Sequence, residues 1–400
     1  MLSVEEARRR ILAGLAPVSA EMVALSDAWN RVLAAPVIAR LTQPPADVSA
    51  MDGYALRAAD AAAGARLRVV GAAPAGRPFD GTLKWGEAVR LFTGSVIPAG
   101  ADTVLLQEDA EPDAETVMVR EQPAPGQHIR RQGQDFSVGD TLLAPGLRLG
   151  ARDIGLAAAA NHPWLTVHRR PVLAILATGD EISMPGEPIG NGGIVSSNSH
   201  ALAALVRAHG GTPVLLPVAA DRVDEIAAAA AGARADLLVT TGGASVGDHD
   251  LVQAGLTKAG FALDFWKIAM RPGKPMMHGY LGGTPVLGLP GNPVSAFVCA
   301  TLFLLPAIAR LAGLAVTGPA TETAVLGVAV RANDHRADHL RATLARSDSG
   351  ALVVTPFVRQ DSALLRALAE ADALVLRAPH APALEAGSSV EIIRLHDLGV

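Results

Sequence analysis

From Arg170 onward the chain alternates apolar runs of strand length with stretches of helix length, and this alternation limits the folds open to it more than any other feature. PVLAILATGDEI, NSHALAALVRAHGG, TPVLLPVAADRV, DEIAAAAAGARA and LLVTTGGASVGDHD read as strand, helix, strand, helix, strand, with a further helix expected from Asp250. That order predicts a doubly wound, mostly parallel sheet with helices on both faces. Ligands of such sheets bind at the carboxyl ends of the strands. Three of those ends carry Asp180-Glu181, Asp221 and the TTGGASVGDHD turn, so several acids are expected in one crevice, a surface scatter being the alternative. Gly242 and Gly243 have no Cβ, so their backbone N–H groups can approach an anion closely, and the following helix would aim its positive end there. Phosphate suits such a turn. Asp248 and Asp250 would then hold a hard divalent cation such as Mg2+, although a surface turn with capping aspartates explains the same residues equally well.

Four hundred residues exceed what one core supports, so two to four domains are expected, and an apolar share of 50% is enough to fill them. A net charge of −5 argues against non-specific nucleic-acid binding, while leaving room for a local basic patch. Cys299 is the only cysteine, which excludes an intrachain disulfide and a cysteine-based zinc site and fits a reducing compartment. Met1–Arg10 carries two Glu and three Arg without an apolar core of signal-peptide length. Pro293–Ala309 is apolar but short for a membrane span and contains Pro306, so a buried helix is expected. Together these features predict a cytoplasmic protein with no membrane or nucleic-acid partner.

Ser3 and Glu6 have capping-box spacing before Ile11, Leu12 and Leu15, which predicts an opening amphipathic helix. Leu33 to Leu41 reads as a strand, followed by LTQPPADVSAMDGYAL, where Asp52-Gly53 makes a turn. Arg66 to Arg120 holds short apolar runs broken by Gly and Pro, the pattern of a small β domain. Thr93-Gly94-Ser95 ends its strand Ala88–Phe92, either as turn cap or as ligand contact, and Arg130, Arg131 and Asp135 follow in a Gly-punctuated loop. A helix is expected over Ala151–Ala160. Within DFWKIAMRPGKPMMHG, Pro272, Gly273 and Pro275 stiffen a turn that carries Lys267, Arg271 and Lys274, favouring a preset anion clamp. Met276, Met277, Phe265 and Trp266 read as core, and His278 has no assigned role. Asn292 or Ser295 would cap the long apolar helix. After Gly313, short alternating strands predict a compact C-terminal β barrel, with one helix in QDSALLRALAEADA near Ser362.

SAMDGYAL, FTGSVIPAGAD, RRQGQD, ATGDEI, TTGGASVGDHD, FWKIAMRPGKP and GLPGNPVSA occur in one order, and together they resemble the MoeA-type molybdopterin molybdenumtransferases, related to the E domain of gephyrin. The resemblance covers nearly the whole chain, most strongly residues 42–300. It implies a multidomain α/β plus β subunit. Residues 1–40 with 137–168 would form an elongated N-terminal dimerisation region and 41–136 a small β domain. Residues 169–314 would form a doubly wound, three-layer αβα, MogA-like domain that binds molybdopterin, and 315–400 the barrel. It also implies a homodimer with its active cleft between the two chains. The reaction implied is Mg2+-dependent insertion of molybdate into adenylylated molybdopterin with loss of AMP.

Matched position by position, the functional residues implied are Asp52, Thr93, Asp135, Glu181, Asp221, Asp250 and Lys267. Thr241, Gly242, Gly243, Ser245, Gly247, Arg271, Lys274, Asn292 and Ser295 would bind the substrates, and Asp180, Glu181, Asp248 and Asp250 the metal. Arg271 stands where many members have lysine. It would offer molybdate a bidentate fork and Lys274 a compact charge, with Ser295 and nearby N–H groups completing the cage. Asp221 stands in ADRV where relatives often have two acids, and Asp361 replaces a usual small residue beside Ser362. A molybdopterin adenylyltransferase and other pathway proteins are the partners implied. A tungstate-using insertase and a gephyrin-like scaffold without turnover remain open. A nucleotide-binding oxidoreductase does not, because no G-x-G-x-x-G follows a first strand.

Overall fold

The computed structural model describes residues 1–242 and 251–396. Its centre is a six-stranded sheet in the order Thr212–Leu215, Val172–Ala177, Leu237–Thr241, Thr284–Leu289, Met277–Leu281, Phe261–Trp266. The first four strands are parallel and the last two form an antiparallel edge. Alternation along the buried strands splits their side chains between two cores. Leu173, Ile175, Leu237, Val239 and Leu287 face the helices Asn198–Ala208 and Pro293–Leu311. Ala174, Leu176, Leu238 and Val286 face Ile226 and Ala230 of Val223–Gly232 and Val252 and Leu256 of Leu251–Lys258. This is the doubly wound layer expected from the alternation.

Pro293–Leu311 is 89% buried, a core helix despite its apolar length, and it contains a π turn over Ala300–Leu304. Ser3 caps the opening helix Val4–Ala13 by accepting the Glu6 N–H at 3.1 Å. The Glu6 carboxylate does not reach back as a capping box would, because Arg9 and Arg10 engage it. Val4, Ala7 and Ile11 bury their side chains in the central core, beside Phe303 and Ile308, so this helix packs with the central domain. The Val18 N–H donates to the Leu311 carbonyl at 2.8 Å and holds the following segment in place.

Residues beyond it form a separate core of Ala28, Leu33, Val37, Leu143, Leu149, Ala157 and Leu165, where strand Ala20–Ala24 pairs with Trp164–His168. The strand expected over Leu33 to Leu41 shrinks to Val37–Ile38, paired with Thr141–Leu143. Pro36, lacking an N–H, and the Pro44-Pro45 pair beyond leave little room for a longer ladder. The small β domain is a six-stranded sheet spanning Gly53 to Val119.

At the C-terminus, Ala337–Arg346 pairs with both Leu352–Pro356 and Ala373–Arg377, and Glu322–Leu326 and Ser389–Arg394 close the ring. Val354, Val375 and Ile392 fill the barrel, while Leu374, Ile393 and Leu395 point outward into the central core.

Candidate functional site

Three strand ends of the central sheet meet where the sequence placed its acids. The Thr178 N–H donates to the Thr241 carbonyl at 3.1 Å, and the Gly179 N–H to the Ala219 carbonyl at 3.1 Å. The Asp221 N–H donates to Asp180 Oδ1 at 3.1 Å, so these two acids share one rim, with Glu181 adjoining Asp180. Asp180 and Glu181 are exposed and Asp221 is half-buried, leaving their carboxylates open to a ligand. Gly242 has φ 109°, and a Cβ there would lie 2.4 Å from the Thr178 carbonyl oxygen, so only glycine lets the strand ends close up.

Thr241 is buried, and its hydroxyl accepts from Asn198 Nδ2 at 2.9 Å while the same nitrogen donates to the Gly291 carbonyl at 2.7 Å. Asn198 thereby ties the TTG turn to the GLPGNP turn. The sequence reading passed over it, although an asparagine at the start of a helix after a strand was a usable signal. Thr178 Oγ1 and Thr240 Oγ1 are buried beside this junction with no partner among the described residues. Gly243, Ser245, Gly247, Asp248 and Asp250 lie outside the described residues.

The apolar helix starts at the same crevice. Asn292 is its N-cap residue but makes no capping bond; its Nδ2 donates to Ser362 Oγ at 3.0 Å, and the Val294 N–H donates to the Ser362 carbonyl at 3.1 Å. Ser362 therefore brings the barrel against the helix start, a placement the sequence left open. Ser295 is buried in the first turn. Behind the Ser362 loop, Arg341 is 1% exposed, and its Nε and Nη2 have no partner among the described residues. A strand reading of HLRATL gave no sign of such a buried cation.

Of the three cations in FWKIAMRPGKP, Lys267 has φ 73° and its Nζ lies 4.0 Å from the centre of the Trp266 ring. Trp266, expected in the core, is half-buried and carries that charge on its face. Gly273 has φ 108°, and a Cβ there would sit 2.5 Å from Cys299 Sγ, so the turn lies flat on the buried helix. Burial pushes the Cys299 thiol up. Lys274 is half-buried, and its ammonium has no hydrogen-bond or ion-pair partner among the described residues.

Arg271 corrects the clamp expected from sequence. Its Nε donates to Asp338 Oδ1 at 2.6 Å and its Nη2 to Oδ2 at 2.5 Å, with Asp334 3.5 Å away. The bidentate fork is filled by the barrel's own acids, because Met270–Arg271 runs as a strand beside Ala337–Asp338. The arginine fastens two domains.

In the small β domain, Asp52 Oδ1 accepts the Thr93 N–H at 2.7 Å and the Thr93 hydroxyl at 2.8 Å. These bonds, with the Arg90 guanidinium nearby, hold the Asp52 carboxyl below its usual range. Arg90 is itself stacked between Tyr54 and Phe92, 5.0 and 5.2 Å from their ring centres. Asp135 is exposed on the adjoining loop, which Asp47 anchors through Arg131 at 2.5 Å and the Gln132 N–H at 2.9 Å. Among the described residues, no hydrogen bond or ion pair joins these loops to the central crevice.

The chain matches the MoeA N-terminal region (domain I and II) over residues 2–161, a probable molybdopterin binding domain over 174–310 and the MoeA C-terminal region (domain IV) over 323–395. It is 34% identical over 397 residues to the molybdopterin molybdenumtransferase of Haemophilus influenzae, covering 98% of each chain. With the enzyme of that name from a Nostoc strain the identity is 39% over 305 residues, 74% of this chain and 70% of that one. Among solved structures, a molybdopterin biosynthesis MoeA protein from Pyrococcus horikoshii superposes with a TM-score of 0.85 at 28% identity, covering 98% of this chain and 99% of the other.

Proposed function

Since the chain belongs to the MoeA family of molybdopterin molybdenumtransferases and is a transferase of molybdenum cofactor biosynthesis, we propose that it inserts molybdate into adenylylated molybdopterin with release of AMP, in the presence of Mg2+. The observation that carries this reading is the meeting of Asp180, Glu181 and Asp221 with the Thr241–Gly242 and Gly291–Asn292 turns. The substrate's anionic groups would lie along those turns, where backbone N–H groups and helix starts favour negative charge. Asn198 holds the two turns at a fixed separation, so their donors are in place before substrate arrives.

The carboxylates of Asp180 and Glu181 have the hard oxygens that Mg2+ requires. Among the described residues no three His, Cys, Asp or Glu side chains stand close enough to hold a metal, so the proposed ligand set includes Asp248 and Asp250. When bound, the cation would offset charge on the phosphates and favour departure of AMP. Lys274 is the cation offered to molybdate, Arg271 being engaged by Asp338. Lys267, on the rigid face of Trp266, would meet a substrate phosphate.

Asp52, Thr93 and Asp135 belong to the small β domain, and we place them at the crevice of a second copy in a homodimer. Met22, Trp29 and Trp164, 69%, 64% and 54% exposed on the N-terminal region, support a covered surface there. The reaction is proposed to be cytoplasmic, downstream of an enzyme that adenylylates molybdopterin.

The test is to mix the purified chain with adenylylated molybdopterin, Mg2+ and either molybdate or tungstate, and to follow AMP. Lys274→Ala should require about tenfold more molybdate for half-saturation, the equivalent of ~1.4 kcal/mol. Matching half-saturation values in wild type and variant would remove Lys274 from the oxyanion site, and absence of oxyanion-dependent AMP release would remove the reaction.

A further inference from the structure

We propose that Arg90 is a positioning residue for the reaction: its guanidinium clamps the chain around Asp52 and so fixes where that carboxylate points. Its bearing on turnover rests on the function proposed above, in which Asp52 faces the reacting crevice. Its bearing on Asp52 rests on geometry.

Strand Gly53–Leu56 lies between Glu87–Leu91 and Thr103–Leu106, with Tyr54 opposite Arg90 in the register. From there Arg90 Nη1 donates to the Gly53 carbonyl at 3.1 Å, and Nη2 donates to Gln107 Oε1 at 2.8 Å. The Gln107 N–H in turn donates to the Asp52 carbonyl at 3.2 Å. Two consecutive carbonyls, those of Asp52 and Gly53, are thus tied to one planar fork, the second directly and the first through Gln107. The Asp52 side chain leaves the backbone at this point and takes its direction from it.

The same guanidinium also bears on the donor side of the Asp52–Thr93 pair. Its Cζ lies 5.0 Å from the Tyr54 ring centre and 5.2 Å from that of Phe92, a favourable seat for a cation. Phe92 immediately precedes Thr93, so the stack steadies the residue whose N–H and hydroxyl both bind Asp52 Oδ1. Thr93 does most to hold the Asp52 carboxyl below its usual range, and the Arg90 charge adds to it. A cation between two rings would also staple the sheet, whatever Asp52 does, and that is the competing role.

Amide hydrogen exchange, read by NMR on the full chain, separates the two without reference to turnover. Arg90→Met keeps an unbranched stem between the rings and loses the fork, whereas Arg90→Lys keeps the charge and loses the fork. In both, the Thr93 N–H should exchange about tenfold faster. The Val119 N–H, which donates to the Ala65 carbonyl two strands away, should exchange as in the wild type. Unchanged exchange at Thr93 in both variants would overturn the proposal. So would equal acceleration at Thr93 and Val119, the mark of a staple alone. Should Arg90→Met fail to fold, Arg90→Lys decides. In turnover, Arg90→Met should lower oxyanion-dependent AMP release about tenfold, yet by less than twofold when added to Asp52→Ala, because it acts through that carboxylate. The same loss in both backgrounds would overturn the positioning role. A wild type that releases no AMP would remove the reaction, while faster exchange confined to Thr93 would still support the clamp.

Discussion

Asp52 owes the stability of its charge first to the Thr93 N–H, then to the Thr93 hydroxyl, and both act on the same oxygen. Thr93→Val removes the hydroxyl and keeps the backbone donor. AMP release should fall about fivefold while the melting temperature stays near that of the wild type, the cost of one exposed hydrogen bond to a charged group. A drop as large as the one Asp52→Ala causes in the same assay would mean that the hydroxyl touches substrate directly. Each of these two residues stood out through its motif, MDGYA and FTG, but that they bond to each other was not legible in the sequence. Asn198 did not stand out, because its partner Thr241 lies 43 residues away and the two meet only through the order of strands in the sheet. Arg271 was misplaced for a related reason: its fork finds Asp338, 67 residues on, in a domain whose position the sequence did not show.

At the scale of elements, the strand Ala337–Arg346 carries His339 into the seam between barrel and central domain. Burial pushes its imidazole down to about 4 from an ordinary 6.5, with Glu5 and Arg8 of the opening helix, Asp338 and the Arg271 backbone facing it. The fold holds the neutral ring, so stability present above pH 6.5 is lost progressively as pH falls toward 4, by up to about 3 kcal/mol. Denaturant midpoints between pH 7 and pH 4 check this, and the slope should flatten in His339→Gln. A second element is the link from the N-terminal region into the sheet. Arg169 grips Asp236 at 2.7 and 2.6 Å, and Asp236 also accepts the Val172 N–H at 2.7 Å. Burial raises the Asp236 carboxyl, but those bonds outweigh it and the net direction is down. Its contribution is therefore present above pH 4 and lost as pH falls through the lowered value. Asp236→Ala should cost about 2 kcal/mol in urea unfolding at pH 7. Strand and helix order here was legible from alternation alone, whereas the shortened Val37–Ile38 strand was not, since its partner Thr141–Leu143 is remote in sequence.

For the whole molecule, the expected residues fall into two groups, Asp52, Thr93 and Asp135 on one domain and Glu181, Asp221 and Lys267 on another. If each crevice draws its first group from a second copy, sedimentation at micromolar concentration should give twice the 41.0 kDa chain mass. Mixing Asp52→Ala with Glu181→Gln should then restore up to about a quarter of wild-type turnover, the share of crevices that escape both changes when subunits exchange at random. A monomeric mass, or no recovery on mixing, would contradict the shared crevice.

The opening helix adds a constraint of timing. Its apolar face lies against Phe303 and Ile308, which a ribosome reaches only about 300 residues later, on the order of half a minute at ordinary elongation rates. Until then Val4, Ala7 and Ile11 have no surface to close on. A nascent chain arrested at residue 168 should bind a hydrophobic-segment chaperone through its first fifteen residues, and one arrested far enough beyond Leu311 for the whole central domain to emerge should release it. The first element to be made is among the last to be finished.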